Sequence, residues 1–456
     1  MSILSNALSG SIAAQTALNT TSQNIANLQT KGYTRQGVLL NAMAPGLGSK
    51  QAGEGVQVGG LLRFSDSYKN QQMWRAASDL GSHSQTQPYL SQMERVMGDD
   101  KSGLSNGIDE FFKALNAAGV DPTSTPLRQQ VVTAANSMSQ HFNSIYNVTA
   151  NQRLSVRQQR DALLPSMNQA LANIARLNEG IAGASAGGTN TSALVDERDM
   201  AIDQLASMVS IEVIDQPDGS RSVSMRTGQP LVVGNLASTV SLVSTAGDPV
   251  LTLKFGNSQF QLDDTKVGGQ MGGLADYDKN ILQPLQQSIK DLAEQMAAKV
   301  NTQLRAGFDT TGNPGKDLFS FNAASTTGML QIDPAFQASD LAFSSDGTPG
   351  DSANLQVLIG IKNQPVTLTS IGSVLVGDAD TQLVGKLGID SQQNQALLKT
   401  ATTIRQQSED DWKSTSGVNQ DEEAINLVEF QNMYQANMKV LAVANNLFDA
   451  TLAMFN

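Results

Sequence analysis

From Met1 to Thr30 the chain carries no charged side chain, and that stretch constrains the fold more than any other feature. Leu4, Ala7, Ser11, Ala14, Leu18, Thr21, Ile25 and Leu28 recur in alternating steps of three and four, the spacing of a helical seam. The other end repeats the pattern. Leu427, Phe430, Tyr434, Asn437, Leu441, Ala444, Phe448, Thr451 and Phe455 fall on one stripe, and Lys439 and Asp449 are the only charged side chains after Glu429. A seam cannot be buried within its own helix, so the two helices pack on each other, on neighbouring subunits, or on both. An ordinary intramolecular hairpin satisfies the seams alone. A solvated helix, however, normally carries a charged face, and the scarcity of charge here favours further contact with protein. Ser11, Thr21, Asn437 and Thr451 weaken packing on the stripes, but buried polar positions fix register and oligomer geometry.

A chain of 456 residues exceeds what one hydrophobic core usually serves, which implies two or more domains. Charged residues make up only 16%, so amides and hydroxyls must cover much of the surface. A net charge of -12 and a pI near 4.7 oppose binding to nucleic acid or an anionic membrane, both of which select a basic face. The absence of cysteine removes disulfides, thiolate catalysis and cysteine zinc sites. No charged start followed by an unbroken apolar run marks a cleavable signal, and no stretch of about 20 apolar residues offers a membrane helix.

Between the ends, amphipathic segments dominate from about Ser67 to Ala206. From Ile211 to Val267 alternating Val, Ile, Leu, Thr and Ser suggest a small β-domain, with Pro217-Asp218-Gly219-Ser220 as a turn. Helical periodicity returns from Ile281 to Leu304 through Ile289, Leu292, Met296 and Val300, and a second β-rich segment runs to about Leu387. The expected class is α+β: a terminal helical coiled-coil pair and a long-helix bundle with inserted small β-domains. Its expected divisions are an N-terminal axial helix and extended segment, 1–60, pairing with 415–456; a helical body, 61–206; a β-rich insertion, 207–269; a returning helix, 270–310; a second β-rich segment, 311–387; and the C-terminal return and axial helices, 388–456.

Directly after the first helix, Asn24-Ile25-Ala26-Asn27-Leu28-Gln29-Thr30-Lys31-Gly32-Tyr33-Thr34-Arg35-Gln36 closely resembles the N-terminal signature of flagellar rod, hook and hook-associated proteins. Its Tyr-x-Arg-Gln variant is most similar to the hook-associated protein 1 family. Near the other end, Ser416-Gly417-Val418-Asn419-Gln420-Asp421-Glu422-Glu423-Ala424 resembles the segment that opens the family's C-terminal helix. Physically, Asn419 or Asp421 caps that helix and the glutamates favour its first turn. Asp109 to Leu115 and Arg128 to Val132 resemble the family's helical region, whereas Asp121-Pro122-Thr123-Ser124-Thr125-Pro126 departs from its usual linker. Leu194-Val195-Asp196-Glu197-Arg198-Asp199, with Leu205 following, resembles a motif that rod and hook proteins are not expected to share. Read without the resemblance, Asp196, Glu197, Arg198 and Asp199 form an exposed, charge-paired helix face.

Chemical sites find little support. Gly268 to Gly273 lacks phosphate-loop and dinucleotide spacing and reads as a flexible turn. His83 and His141 have no paired spacing for a metal or a triad. Asp309-Thr310-Thr311-Gly312-Asn313 lacks the spaced ligands and closing glutamate of a calcium loop and reads as a turn. Asn19, Asn147 and Asn190 match the glycosylation pattern, but matches so short arise by chance. No catalytic residue, metal or cofactor is expected.

The resemblance implies a structural subunit of the bacterial flagellum at the junction between hook and filament, secreted by type III export without a cleavable signal. It further implies self-contact in a ring or helical layer, contact with hook protein and a second junction protein, and an export chaperone on the C-terminal helix. Uncharged terminal helices also suit an inner wall past which unfolded subunits travel. The rival readings are a hook or distal rod subunit, which the Leu194 to Asp199 motif opposes, and an exported cell-wall hydrolase, which needs a carboxylate pair not located here.

Overall fold

The computed structural model describes residues 3–44, 53, 55–101, 103–245, 248–325 and 328–454. Helix α1 (Ile3–Ala26) leads through a loop into the antiparallel hairpin of β1 (Gln36–Ala42) and β2 (Val56–Arg63). Four helices follow: α2 (Ser67–Met97), α3 (Leu104–Ala118), α4 (Thr125–Ala186) and α5 (Ser192–Met208). Asp66 caps α2 by accepting from the Tyr68 and Lys69 amides, and a proline in the first turn of α4 occupies a position whose N–H needs no helical partner. At about 1.5 Å per residue, the 62 residues of α4 make a rod of about 90 Å.

Two antiparallel sheets hang from this rod. The first orders β3 (Ile211–Asp215), β4 (Arg221–Met225), β5 (Pro230–Val233) and β6 (Leu236–Ala237); the second, β7 (Thr239–Thr245), β8 (Asp248–Phe255) and β9 (Ser258–Gln261). The chain returns along the body through α6 (Gly269–Asp276), a π-helical stretch at 277–282 and α7 (Gln283–Arg305). Ile289, Leu292, Met296 and Val300 of α7 are all buried. Hairpins β10 (Phe319–Phe321)/β11 (Leu330–Ile332) and β12 (Pro365–Leu368)/β13 (Gly372–Leu375) flank a short α8 (Ala353–Gly360), and α9 (Ala379–Ser416) and α10 (Gln420–Ala453) complete the chain.

A continuous core joins Leu90 and Met93 of α2, Phe111 and Phe112 of α3, Val131, Phe142 and Leu171 of α4, and Leu292 and Met296 of α7. Helix α9 lies along α2 in the opposite direction: Lys69 donates to the Asp411 carbonyl at 2.9 Å and Asn394 to the His83 carbonyl at 3.1 Å. The sheets are fastened to the helices by side-chain amides that pair with both backbone groups of one strand residue. Asn168 donates to the Val240 carbonyl (2.9 Å) and accepts its N–H (2.8 Å). Asn178 does the same to Arg221, Asn143 to Leu330, Asn301 to Phe319 and Gln295 to Thr367. Each amide replaces a missing neighbour strand, so a small sheet satisfies an edge on a helix.

Three expectations need revision. Gly268 to Gly273 is no flexible turn: from Gly269 it is helix α6, and a side chain at Gly273 would collide with the Ser82 carbonyl of α2. The stretch expected to be the second β-rich segment contains two short hairpins and helix, and α9 already begins at Ala379. The Asp196 to Asp199 segment is mostly not exposed: Glu197 alone faces solvent, paired with Arg176 at 3.2 Å, and Asp199 is half-buried. Asp196 is 6% and Arg198 2% exposed, because α5 packs between α2, α4 and the loop that follows α1. Asp309 does form a turn, accepting from the Thr311 and Asn313 amides at 2.7 and 2.9 Å.

Candidate assembly surface and elbow

Helices α1 and α10 pack along one another, but the seam on α1 is built from its small side chains. Ala7, Gly10, Ser11, Ala13, Ala14, Ala17, Thr20, Thr21 and Asn24 are buried. Of the expected contact residues, Leu4 and Ile25 are exposed and Leu18 is half-buried. On α10, Phe430, Tyr434, Asn437 and Leu441 are half-buried and recur at helical spacing, whereas Leu427 and Phe448 are exposed and Phe455 lies outside the described residues. Asn437 abuts Gly10, where any added Cβ would strike its amide, and donates to the Met433 carbonyl at 2.9 Å. The small residues of α1 let α10 approach closely, and most of the larger apolar side chains of α1 are turned outward.

That outward surface is extensive. Ile3, Leu4, Leu8 and Ile12 on α1 and Ile425, Val428, Val443, Leu447 and Phe448 on α10 are all exposed. Removing one such side chain from water contributes about 1.5–3 kcal/mol, and contiguous exposed apolar area marks a contact surface.

The signature after α1 builds the elbow that joins the pair to the body. The Asn24 side chain accepts from the Tyr33 hydroxyl (2.8 Å) and the Gln36 amide (3.1 Å) and donates to the Gln36 carbonyl (2.8 Å), folding the chain back on the helix end. Exposed Ala26 ends the helix; Asn27 and Thr30 hydrogen-bond each other at 3.1 Å. Gly32 adopts a φ of +80 and packs on Met200, excluding any side chain. Arg35 closes the other side: its N–H donates to the Ser416 carbonyl (2.8 Å), its Nε to Glu423 (2.9 Å) and its Nη1 to Glu422 (2.5 Å). Asn419 caps α10 by accepting from the Asp421 and Glu422 amides. Gly417 passes too close to the Lys413 carbonyl for a side chain, and Val418 lines the elbow.

Beneath the elbow lies a buried ion network centred on α5. Asp196 accepts the Thr34 amide at 3.1 Å and Arg63 Nε at 2.9 Å; Asp199 accepts Arg63 at 3.0 Å and also pairs with Arg221. Arg221 reaches on to Asp215 at 2.6 Å, and Arg198 donates to the Gly219 carbonyl at 2.7 Å. One network therefore ties the N-terminal loop, the first hairpin, the body and the first sheet. Burial pushes Asp196 above the usual carboxylate range against the pull of Arg63, and lowers Arg198 to about 10 with Arg221 assisting. Tyr33 is pushed up to about 12 by burial and by the Asp196 and Glu423 carboxylates. Sequence reasoning missed Arg63 and Arg221, which carry no local signal: each is a single arginine in a strand.

No group of His, Asp or Glu suited to a metal ion occurs among the described residues, and no described helix is long and apolar enough to cross a membrane.

Comparison with known proteins agrees with this layout. The model of the flagellar hook-associated protein FlgK helical domain matches residues 90–319, that of the flagella basal body rod protein 4–34, and that of the flagellar basal body rod FlgEFG protein C-terminal region 414–454. Flagellar hook-associated protein 1 of Escherichia coli (strain K12) is 26% identical over 545 residues, covering 99% of both chains. That of Salmonella typhimurium is 27% identical over 549 residues with the same coverage. The Bacillus subtilis protein is 25% identical over 484 residues, 96% of this chain and 95% of its own. The solved flagellar hook junction protein FlgK from Burkholderia pseudomallei shares the fold with a TM-score of 0.66 at 18% identity, over 75% of this chain and all of that one. With a model of the family matching half its length and relatives aligned from end to end, the chain belongs to the flagellar hook-associated protein FlgK family.

Proposed function

We propose that this chain is a structural subunit of the flagellum, forming the junction between hook and filament by self-assembly through its terminal helix pair. The observation that carries the reading is the outward apolar surface of α1 and α10, in a chain whose relatives are hook-associated proteins over their full length. The interface comprises the exposed members of both stripes, Leu4, Ile25, Leu427 and Phe448, with Asn437 against Gly10 holding the register of the pair. The helical body and small sheets form the wall outside it. The subunit is not an enzyme. Its neighbours are copies of itself, hook subunits on one side and a second junction protein on the other. An export chaperone covers the apolar face of α10 before assembly, and the chain leaves by the type III route.

The test is electron microscopy of a deletion strain with a blot for flagellin in its medium. Complete hooks lacking filaments, with flagellin shed, is the expected result. Missing hooks would make the chain a rod or hook subunit, and normal filaments would remove the structural role.

A further inference from the structure

Rings and helical layers of identical subunits are heterologous: each copy must present two different, complementary patches. We propose that one such pair consists of the outward face of α10 around Glu429 and the elbow cavity, so that Glu429 of one copy meets Lys31 and Lys413 of the next. The proposal rests on the self-assembling role given above and names the contact that role requires.

The first patch is a face of α10 turned away from α1. Ile425 and Val428 are 67% and 56% exposed, and Ile425, Val428, Glu429 and Asn432 share that face at helical spacing. Glu429 has no ion pair among the described residues, although it is one of only three charged side chains on α10 beyond Glu423. A carboxylate set among apolar groups that a neighbour covers needs a cation from that neighbour.

The second patch is a cavity of about 500 Å³ under the loop that follows α1, floored by Met73, Met200 and Trp412. Its acidic lining is already engaged: Asp199 by Arg63, and Asp203 and Glu409 by Arg405. Lys31 and Lys413 line the same cavity, are exposed, and have no ion pair among the described residues. In a chain of net charge -12, two uncompensated lysines at one cavity stand out as donors to an incoming carboxylate. Asn70, 2% exposed and also lining the cavity, has no hydrogen-bond partner for its side-chain N–H group among the described residues, so the site has a spare donor as well. The volume suits a few side chains rather than a helix. The α10 face therefore lies across the mouth, with Val428 and Glu429 reaching in.

Because the chain has no cysteine, the contact can be trapped unambiguously in assembled flagella. Glu429→Cys and Lys413→Cys in one chain should give a ladder of disulfide-linked oligomers on oxidation, and the two variants co-expressed as separate chains should give dimers only. Filaments that form without either product would overturn the proposal, as would a product confined to an internally linked monomer. Charge reversal supplies a second readout. Glu429→Lys, and Lys31→Glu with Lys413→Glu, should each lower filament number by about tenfold with helicity unchanged, and the triple variant should restore it. Defects that add rather than cancel would assign the lysines to another partner and overturn the proposal. Failure of the unaltered chain to restore filaments to the deletion strain would instead remove the junction role itself.

Discussion

Asp196 makes three demands on its surroundings at once: it is buried, it accepts the Thr34 amide, and it shares Arg63 with Asp199. Burial alone lifts its pKa, so the carboxylate is tolerated there only through these partners. Removing one member of such a group costs more than the group contributes, because the remaining charge stays buried. Asp196→Ala should therefore destabilise the chain by about 3–5 kcal/mol, seen as a lower urea midpoint. The loss should also loosen the elbow, since the Thr34 amide is left unpaired, and limited proteolysis should then cut near residues 28–35. A midpoint within experimental error of the unaltered chain would mean that the network contributes nothing to stability. Nothing in Leu194 to Asp199 betrays this burial. Four consecutive charged side chains on a helix satisfy the pattern of a solvated face equally well, and the arginines that make burial tolerable, Arg63 and Arg221, arrive from strands far away in the chain.

At the level of elements, periodicity made the helices and the first β-region legible, and the Asn419 cap and the turn at Gly219 followed from turn and cap chemistry. It placed the buried side of α1 only in part. The expected stripe overlaps the buried face through Ala7, Ser11, Ala14 and Thr21, but that face is turned toward Gly10, Ala13, Ala17 and Thr20, which leaves the larger Leu4 and Ile25 outward. Nor did periodicity show how the sheets are held, because an Asn on a helix reads as solvent-facing. Asn168 illustrates the physics: its amide pairs with the N–H and carbonyl of Val240 in β7, the edge strand of its sheet, and closes that edge against α4. Asn168→Ala would leave both Val240 backbone groups without that amide, at about 1–3 kcal/mol for each one left unsatisfied. Hydrogen exchange should then quicken through β7 and β8 while β10 and β11, held by Asn143, keep their protection. Equal quickening in both places would mean that the clasps act as one unit.

Over the whole molecule, stability is unevenly distributed. The large apolar side chains that make a strong core lie in α2, α3, α4 and α7, whereas α1 meets α10 through alanine, glycine and hydroxyl groups, and the larger α10 residues on the facing side, Phe430, Tyr434 and Leu441, are only half-buried. The pair is joined to the body at the elbow through Thr34, Arg35 and Arg63. A helix pair with so little apolar burial is marginal by itself, since helices of this length depend on tertiary packing. The monomer should accordingly melt in two steps by circular dichroism at 222 nm, the earlier one losing the helicity of α1 and α10 and the later one that of the body. Assembly binds only the folded pair, so the earlier step should move upward with protein concentration while the later one stays fixed. A single transition at all concentrations would show that the elbow couples pair and body into one cooperative unit. Two transitions would mean that the same outward apolar surface which weakens the free subunit is what makes its terminal helices fold fully where a neighbour covers them.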